Sequence, residues 1–332
     1  MKTIQSDKTI KNVFRYICLL SFFLLAFGTL FSCGKPKTLL NTAAETIRKQ
    51  FDKPKILLIN SNTAVEKYRV AQEEFKKTIP YELREVNLGK SVSHIDVDGL
   101  TAYNANFIYC IGGKAYSFAN KHFDDKNIVF SSIINWLRLP SLSQRTYGVS
   151  NELHARMPLF MFRSIFPNIK KIGVLYSQYY TLQWFEKTRE QAGEVGIEII
   201  GETVSDKGQT MRALKKLLPA VDAVWVTSDP MVMPEKKYLY KMLDACDELK
   251  IPVFSYHEAF AKYGASLVVS VDNPTIGRQA ASIAMGVLSG DEMGDKVQFP
   301  AGSYITLNLK KVEAYGVEYN KDALGLVNSI IK

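Results

Sequence analysis

Two series of short apolar runs, each alternating with segments of helical period, constrain this 332-residue chain more than any other feature. From residue 55 onward, Lys55-Ile-Leu-Leu-Ile-Asn60 is rich in branched residues and too short for a helix, so it predicts a buried strand. Val65, Tyr68, Gln72 and Phe75 follow at helical spacing up to the break at Pro80. Strand-like runs recur at 83–87, 107–111, 128–131 and 147–150, with helical stretches at 97–103 and 114–123 between them. The second series has strand-like runs at 171–176, 197–204, 221–227, 251–255 and 265–271. Helices are predicted over 182–195, 211–218 and 235–249, the first ended by Gly196 and the second by Pro219. Runs that are apolar on both faces belong to parallel sheets covered by helices on two sides. The expected fold is therefore α/β: two Rossmann-like parallel-sheet lobes in tandem.

The lobes are expected to be joined by three crossings. The strand-like 147–150 leads into a predicted helix over 151–166 that ends at Pro167. Asp272-Asn273-Pro274 interrupts the pattern before a helix over 275–288, and Pro300-Ala-Gly302 precedes the run 304–307. Asn308 then caps a short helix ended by Gly316. Lobe 1 is expected to comprise 54–149 with 273–300, and lobe 2 150–272 with 301–332. Three crossings make a hinge, and a hinge between rigid lobes suits closure around a ligand.

Residues 1–32 read as a lipoprotein signal peptide. Lys2, Lys8, Lys11 and Arg15 precede an apolar core that ends at Leu30-Phe31-Ser32-Cys33. The apolar core from Leu19 to Phe31 is short for a spanning helix, which needs about 20 residues. A cysteine placed three residues after Leu30 resembles a bacterial lipobox, which makes Cys33 the expected lipidation site and membrane anchor. Residues 33–53 are then a tether. The leader holds four basic side chains and one acid, so the formal charge of +9 falls to +6 without it. The remaining basic residues are scattered, with no arginine-rich arm, which argues against nucleic-acid binding. Cys110 and Cys246, on a predicted strand and a predicted helix, read as buried fillers rather than a bridge. None of the four histidines is closely paired with another histidine or a cysteine, so no metal-ligand spacing is present.

A resemblance rests on several pieces taken in order: Tyr147-Gly-Val-Ser-Asn-Glu, Phe166-Pro-Asn, Lys170-Lys-Ile-Gly-Val-Leu-Tyr176, and Val221-Asp-Ala-Val-Trp-Val-Thr-Ser-Asp-Pro230. It continues through Ile251-Pro-Val-Phe-Ser255, Tyr263-Gly-Ala265, Gly277-Arg-Gln-Ala280, Leu307-Asn-Leu-Lys-Lys-Val-Glu-Ala314 and Gly316-Val317. In these segments the chain resembles the ABC-transporter substrate-binding family with the periplasmic binding protein type I fold, in its tryptophan/tyrosine-uptake-type branch. The likeness covers 147–332 well and 54–146 by pattern. It implies a two-lobed protein that traps a small solute and presents it to a membrane permease. The segment Ile133-Ile-Asn-Trp-Leu-Arg138 departs from the family pattern, and Arg138 suits an acidic group on the ligand.

In open parallel sheets ligands bind beyond the carboxyl ends of the strands. Those ends place Asn60, Ser61, Gly113, Lys114, Ser131 and Ser132 in lobe 1, and Tyr176, Ser177, Thr227, Ser228, Asp229, Ser255 and Tyr256 in lobe 2, with Asp272 at a crossing. Hydroxyls and helix-start N–H groups suit a carboxylate, and Asp229 or Asp272 an ammonium, which together resemble an amino-acid site. Thr227-Ser228-Asp229-Pro230 also reads as a helix cap, and Asp272 also as a turn residue. Gly112-Gly113-Lys114 lacks the remaining elements of a phosphate loop and reads as a strand-to-helix turn. Trp184 and Trp225 read as core or cleft wall, and Trp136 as the tryptophan placed to stack on a flat ligand.

The expected function is extracytoplasmic capture of an amino acid or related small organic solute, delivered to an ABC permease by a monomer that needs no cofactor or metal. The alternative is a ligand-binding sensor subunit signalling to a membrane receptor or kinase. An enzyme is not expected: His257 beside Glu258 is the best catalytic candidate, and a single cleft histidine more often hydrogen-bonds a ligand or backbone.

Overall fold

The computed structural model describes residues 53–139 and 142–332; the leader, Cys33 and the tether up to residue 52 lie outside the described residues. From Pro54 onward the chain forms one compact unit built on two sheets. The first series of elements runs β1 (Lys55–Asn60), α1 (Glu66–Thr78), β2 (Glu82–Asn87), α2 (Val97–Ala102), β3 (Phe107–Ile111), α3 (Gly113–His122), β4 (Asn127–Ile133) and β5 (Thr146–Ser150). The second runs α4 (Arg156–Ile165), β6 (Lys171–Tyr176), α5 (Leu182–Glu194), β7 (Glu198–Thr203), α6 (Thr210–Leu217), β8 (Ala223–Trp225), α7 (Lys236–Glu248), β9 (Val253–Ser255), α8 (Ala259–Lys262) and β10 (Leu267–Val271). The chain ends with α9 (Asn273–Ser289), β11 (Val297–Gln298), β12 (Ser303–Asn308), α10 (Leu309–Tyr315) and β13 (Ser329–Ile331).

The first sheet has the order β11-β5-β4-β3-β1-β2, and every pairing in it is parallel. The second has the order β13-β12-β10-β9-β8-β6-β7, parallel except where β12 runs antiparallel to β10. Strand side chains alternate between faces, so each fully apolar run supplies two cores. In β1, Leu57 and Ile59 pack with Cys110, Ala115 and Phe130 on one face. Ile56 and Leu58 pack with Phe75, Tyr109, Ile276 and Ala280 on the other. The second sheet is covered likewise, by α4 and α5 around Phe162, Phe185 and Trp225, and by α6 and α7 around Leu214, Leu239 and Met242. Each buried Leu or Phe contributes about 1.5–3 kcal/mol relative to exposure.

The chain passes three times between these sheets: between β5 and α4, at Asp272 between β10 and α9, and between β11 and β12. Helix α9 therefore returns to the first sheet, where it packs on α1. A Cβ at Gly277 would stand 2.3 Å from the Ala71 carbonyl oxygen, so the close approach of the two helices requires glycine there. We use lobe below for one sheet with its helices. Cys110 and Cys246 are both buried and unbridged, and burial pushes both thiols up, Cys246 to about 12. Among the described residues, no helix is long and apolar enough to cross a membrane.

One boundary differs from expectation and shapes the site. The helix predicted over 151–166 starts only at Arg156. Pro158 lacks an N–H and clashes with the carbonyl four residues before it in a helix interior, so it is tolerated only in the first turn. Residues 151–155 are thereby left as a link between the lobes.

Candidate functional site

The segment after β4 breaks regular structure. Pairing with β5 shifts register between Phe130 and Ile133, and Ser132 and Asn135 adopt φ of +60° and +55°. Left-handed backbone is costly for residues other than glycine and is tolerated best by asparagine. Its effect here is to split one short turn, Trp136–Arg138, between two environments. Trp136 packs against the core of the first lobe, whereas Asn135, Leu137 and Arg138 line a chamber on the other side.

That chamber, of about 170 Å³, lies mainly against the second lobe. Its floor is apolar: Leu153, Pro158, Trp184, Trp225, Val269 and Val271. Trp184 and Trp225 meet edge-on with ring centroids 5.1 Å apart, and Phe162 backs Trp225 at 5.0 Å. Its mouth is polar. Glu152 accepts from the Asn135 N–H at 3.0 Å and the Ser228 hydroxyl at 3.1 Å, and the Asn135 side-chain amide donates to the Ser228 carbonyl at 3.1 Å. These bonds join the two lobes across the link. The Arg138 guanidinium lies 4.0 Å from the Tyr180 ring centroid, a cation–π contact between the lobes. Burial raises the Glu152 carboxyl above its ordinary range, opposed by those two hydrogen bonds and by the Arg138 charge. Burial also pushes the Tyr256 phenol up to about 12, with the charge of Glu152 adding to it.

A second chamber, of about 560 Å³, adjoins the first and shares Asn151, Tyr256 and Val271 with it. Its walls include Val65, Glu66 and Lys67 at the start of α1, His257 and Glu258 after β9, and Asp272 at the crossing. Burial lowers the pKa of both Lys67 and His257, and for His257 the Lys67 charge lowers it further.

The residues singled out at the strand ends divide sharply. Thr227, Ser228 and Tyr256 line the first chamber, and Tyr256 and Asp272 the second. The remainder line neither, and for Asn60, Ser61, Lys114, Ser131, Ser177 and Asp229 the polar atoms are engaged within the protein. The Asn60 amide donates to Gln72 at 2.6 Å, and its Oδ1 accepts from the Asn62 N–H. Ser61 accepts from the Ala115 N–H at 2.9 Å, over the turn formed by Gly112 and Gly113. Lys114 donates to the Gly89 carbonyl, Ser131 bonds the Tyr109 hydroxyl at 2.7 Å, and Ser132 lies beside Ser131. Tyr176 stacks on Phe185, and Ser255 is buried at the end of β9.

Two expectations need correction. Asp229 is not available to an ammonium: its Oδ2 accepts from the Ser177 N–H at 2.8 Å, the Ser177 hydroxyl at 2.7 Å and the Thr181 hydroxyl. Its Oδ1 takes the Met231 N–H at 2.8 Å and the Val232 N–H at 3.3 Å. Trp136 is not the stacking tryptophan, since the left-handed Asn135 turns it to the core and Trp184 and Trp225 form the aromatic wall. Asn151, Glu152 and Tyr180 were missed, and Pro158 was the signal that would have released the first two from the predicted helix. The oxygens Thr227 Oγ1 and Asn151 Oδ1 are buried without a hydrogen-bond partner. Orphaned polar atoms in a chamber wall are what a polar ligand would satisfy.

A sequence profile described as ABC transporter substrate binding protein matches residues 88–330. The chain belongs to this family. It is a family of binding proteins rather than enzymes, acting outside the cytoplasm. A tyrosine-binding protein of Clostridioides difficile (strain R20291) is 23% identical over 185 residues, 52% of this chain and 53% of that one. The match therefore spans about half the length of this curated relative. Among solved structures, the ligand-free, open form of a substrate binding protein with adhesive properties from Clostridium difficile has a TM-score of 0.62 at 16% identity, covering 84% of this chain and 99% of that one. An ABC domain in complex with L-Trp from Streptococcus pneumonia has a TM-score of 0.57 at 16% identity, covering 84% and 100%. The fold of this substrate-binding protein is that of the type I periplasmic binding proteins.

Proposed function

We propose that this protein captures an aromatic amino acid or a close derivative between its lobes and delivers it to an ABC permease. The observation that carries the reading is the first chamber: a tryptophan-walled floor whose mouth holds Glu152 and Arg138. An apolar socket takes a flat side chain, the carboxylate an α-ammonium and the guanidinium an α-carboxylate, through charge-assisted bonds. Glu152 accepts two hydrogen bonds within the protein, and an ionised carboxylate has about four acceptor positions, so a ligand donor finds room. The relatives named for tyrosine and solved with L-Trp support the same class. Lobe 1, 54–149 with 273–300, and lobe 2, 150–272 with 301–332, then act as the two jaws. Lipidation at Cys33 keeps them beside the membrane.

A ligand bound only by the folded protein adds RT ln(1 + [L]/Kd), about 2.7 kcal/mol at a hundredfold excess over Kd. Tryptophan, tyrosine or phenylalanine is expected to raise the melting temperature and change tryptophan emission, while aliphatic amino acids and sugars do neither. A shift with a sugar and none with any aromatic amino acid would refute the reading. Fractionation of a Cys33→Ser chain tests the anchor: it should leave the membrane fraction.

A further inference from the structure

Among the described residues, Lys67 is a cation without an anion. It lines the second chamber, burial lowers its pKa, and among the described residues it forms no ion pair or hydrogen bond. It lies over the neighbouring Tyr68 ring, at 5.3 Å. Lys67 is half-buried, and a charge partly withdrawn from water without a counter-ion is favoured by anything that supplies one. The carboxylates around this chamber do not. Glu66 and Glu258 are exposed, and Asp272 is occupied in capping α9, accepting from the Thr275 N–H at 3.0 Å and from the Thr275 hydroxyl. His257 stands on the same wall. Its Nδ1 accepts from the Ala259 N–H at 3.2 Å, so the neutral ring carries its proton on Nε2, as a donor.

The two chambers meet at Asn151 and Tyr256. Asn151 lines both, and its Oδ1 is buried without a donor. An ammonium acceptor in the first chamber, an orphaned acceptor at the junction and an unpaired cation in the second form a sequence of functional groups. It matches a peptide backbone read from amino to carboxyl end. One extended residue spans about 3.3–3.6 Å, so a dipeptide reaches about 7 Å. Tyr256 lines both chambers, and the adjacent His257 ring, which lines the second, lies 6.2 Å from it between centroids.

We propose that the two chambers form one elongated site whose preferred occupant is an aromatic amino acid extended at its carboxyl end, namely a dipeptide with N-terminal tryptophan or tyrosine. Its side chain fills the Trp184–Trp225 socket, its ammonium meets Glu152, and its peptide N–H donates to Asn151 Oδ1. Its terminal carboxylate lies between Lys67 and the His257 Nε2–H. The inference rests on the aromatic reading of the first chamber.

Calorimetric titration of the folded protein with Trp, Trp-Gly and Trp-Gly amide tests it. The dipeptide is expected to bind at least ~10-fold more tightly than the free amino acid, the yield of one charge-assisted bond. The amide should lose that advantage. Lys67→Met should close the gap between Trp-Gly and Trp, leave free Trp affinity unchanged, and leave the melting temperature of the empty protein at or above that of the parent. If Trp binds and Trp-Gly binds no better, or if Lys67→Met weakens both alike, the elongated site is refuted while the aromatic socket stands. If neither binds, both readings fall.

Discussion

The strand ends of the two lobes carry similar polar residues but use them differently. In the first lobe, Asn60, Ser61, Lys114 and Ser131 tie loops to the lobe's own helices and strands, and among the described residues only the irregular turn after β4 reaches the first chamber. In the second lobe, Asp229 gathers five donors into a rigid base, and beside it Thr227, Trp184 and Trp225 are left facing the chamber. On the proposed reading, the second lobe is a preformed socket and the first supplies a small lid. Such an arrangement lets one lobe hold the apolar part of a ligand before the other touches it, which lowers the ordering cost of capture.

Substitutions that strike the two lobes unequally test this contrast. The largest effect is expected for Asp229→Ala, which orphans buried N–H and hydroxyl groups at once and should cost about 3 kcal/mol in chemical denaturation. Ser131→Ala, its counterpart in the first lobe, removes one good bond, to the Tyr109 hydroxyl, and a long one to the Ser132 hydroxyl, and should cost about 1 kcal/mol. Equal losses would remove the distinction between socket and lid.

Glu152→Gln comes next. At neutral pH it should weaken binding of an ammonium-bearing ligand by about 2 kcal/mol, roughly 30-fold, measured by calorimetry. Its pH signature has a definite sign. Burial raises this carboxyl in the folded state, so the folded protein holds its proton longer than the unfolded chain does. The contribution of Glu152 to stability is thus full below the unfolded pKa and is lost as pH rises through the folded value. The Gln variant should therefore be the more stable apo protein at neutral pH, and its affinity should no longer fall on acidification. Parallel pH profiles for parent and variant would exclude Glu152 as the ammonium partner.

The smallest expected change in affinity separates the tryptophans. Trp184→Ala should weaken aromatic ligands by about 1.5 kcal/mol with modest loss of stability, and Trp136→Ala should do the opposite, costing about 2 kcal/mol of stability with affinity unchanged. Affinity lost in Trp136→Ala alone would move the aromatic wall to the first lobe.

The same contrast explains what the sequence made legible. Long two-faced strands such as β1 and β3 announced themselves because burial on both sides leaves an unbroken apolar run. The two-residue β11 and three-residue β13 are too short to leave a periodic trace. Thr227, Ser228 and Tyr256 line the first chamber, as residues just beyond strand ends are placed to do. Of the two readings of Asp229, the local cap is the one its bonds to the Met231 and Val232 N–H groups match, whereas its engagement by Ser177 and Thr181, 52 and 48 residues earlier, has no local signal. Trp136 was misplaced because its direction depends on the positive φ of Asn135, a property of backbone geometry rather than residue type.

Pro158 has a further consequence. By delaying α4 it leaves a short strip of backbone that is both the joint between the lobes and the carrier of Asn151 and Glu152. Any change of angle between the lobes must be taken up partly in the torsions of that strip, so it displaces these two side chains directly. Recognition and movement then share one set of bonds, and no relay through the lobes is needed for an occupant to exert torque on the joint.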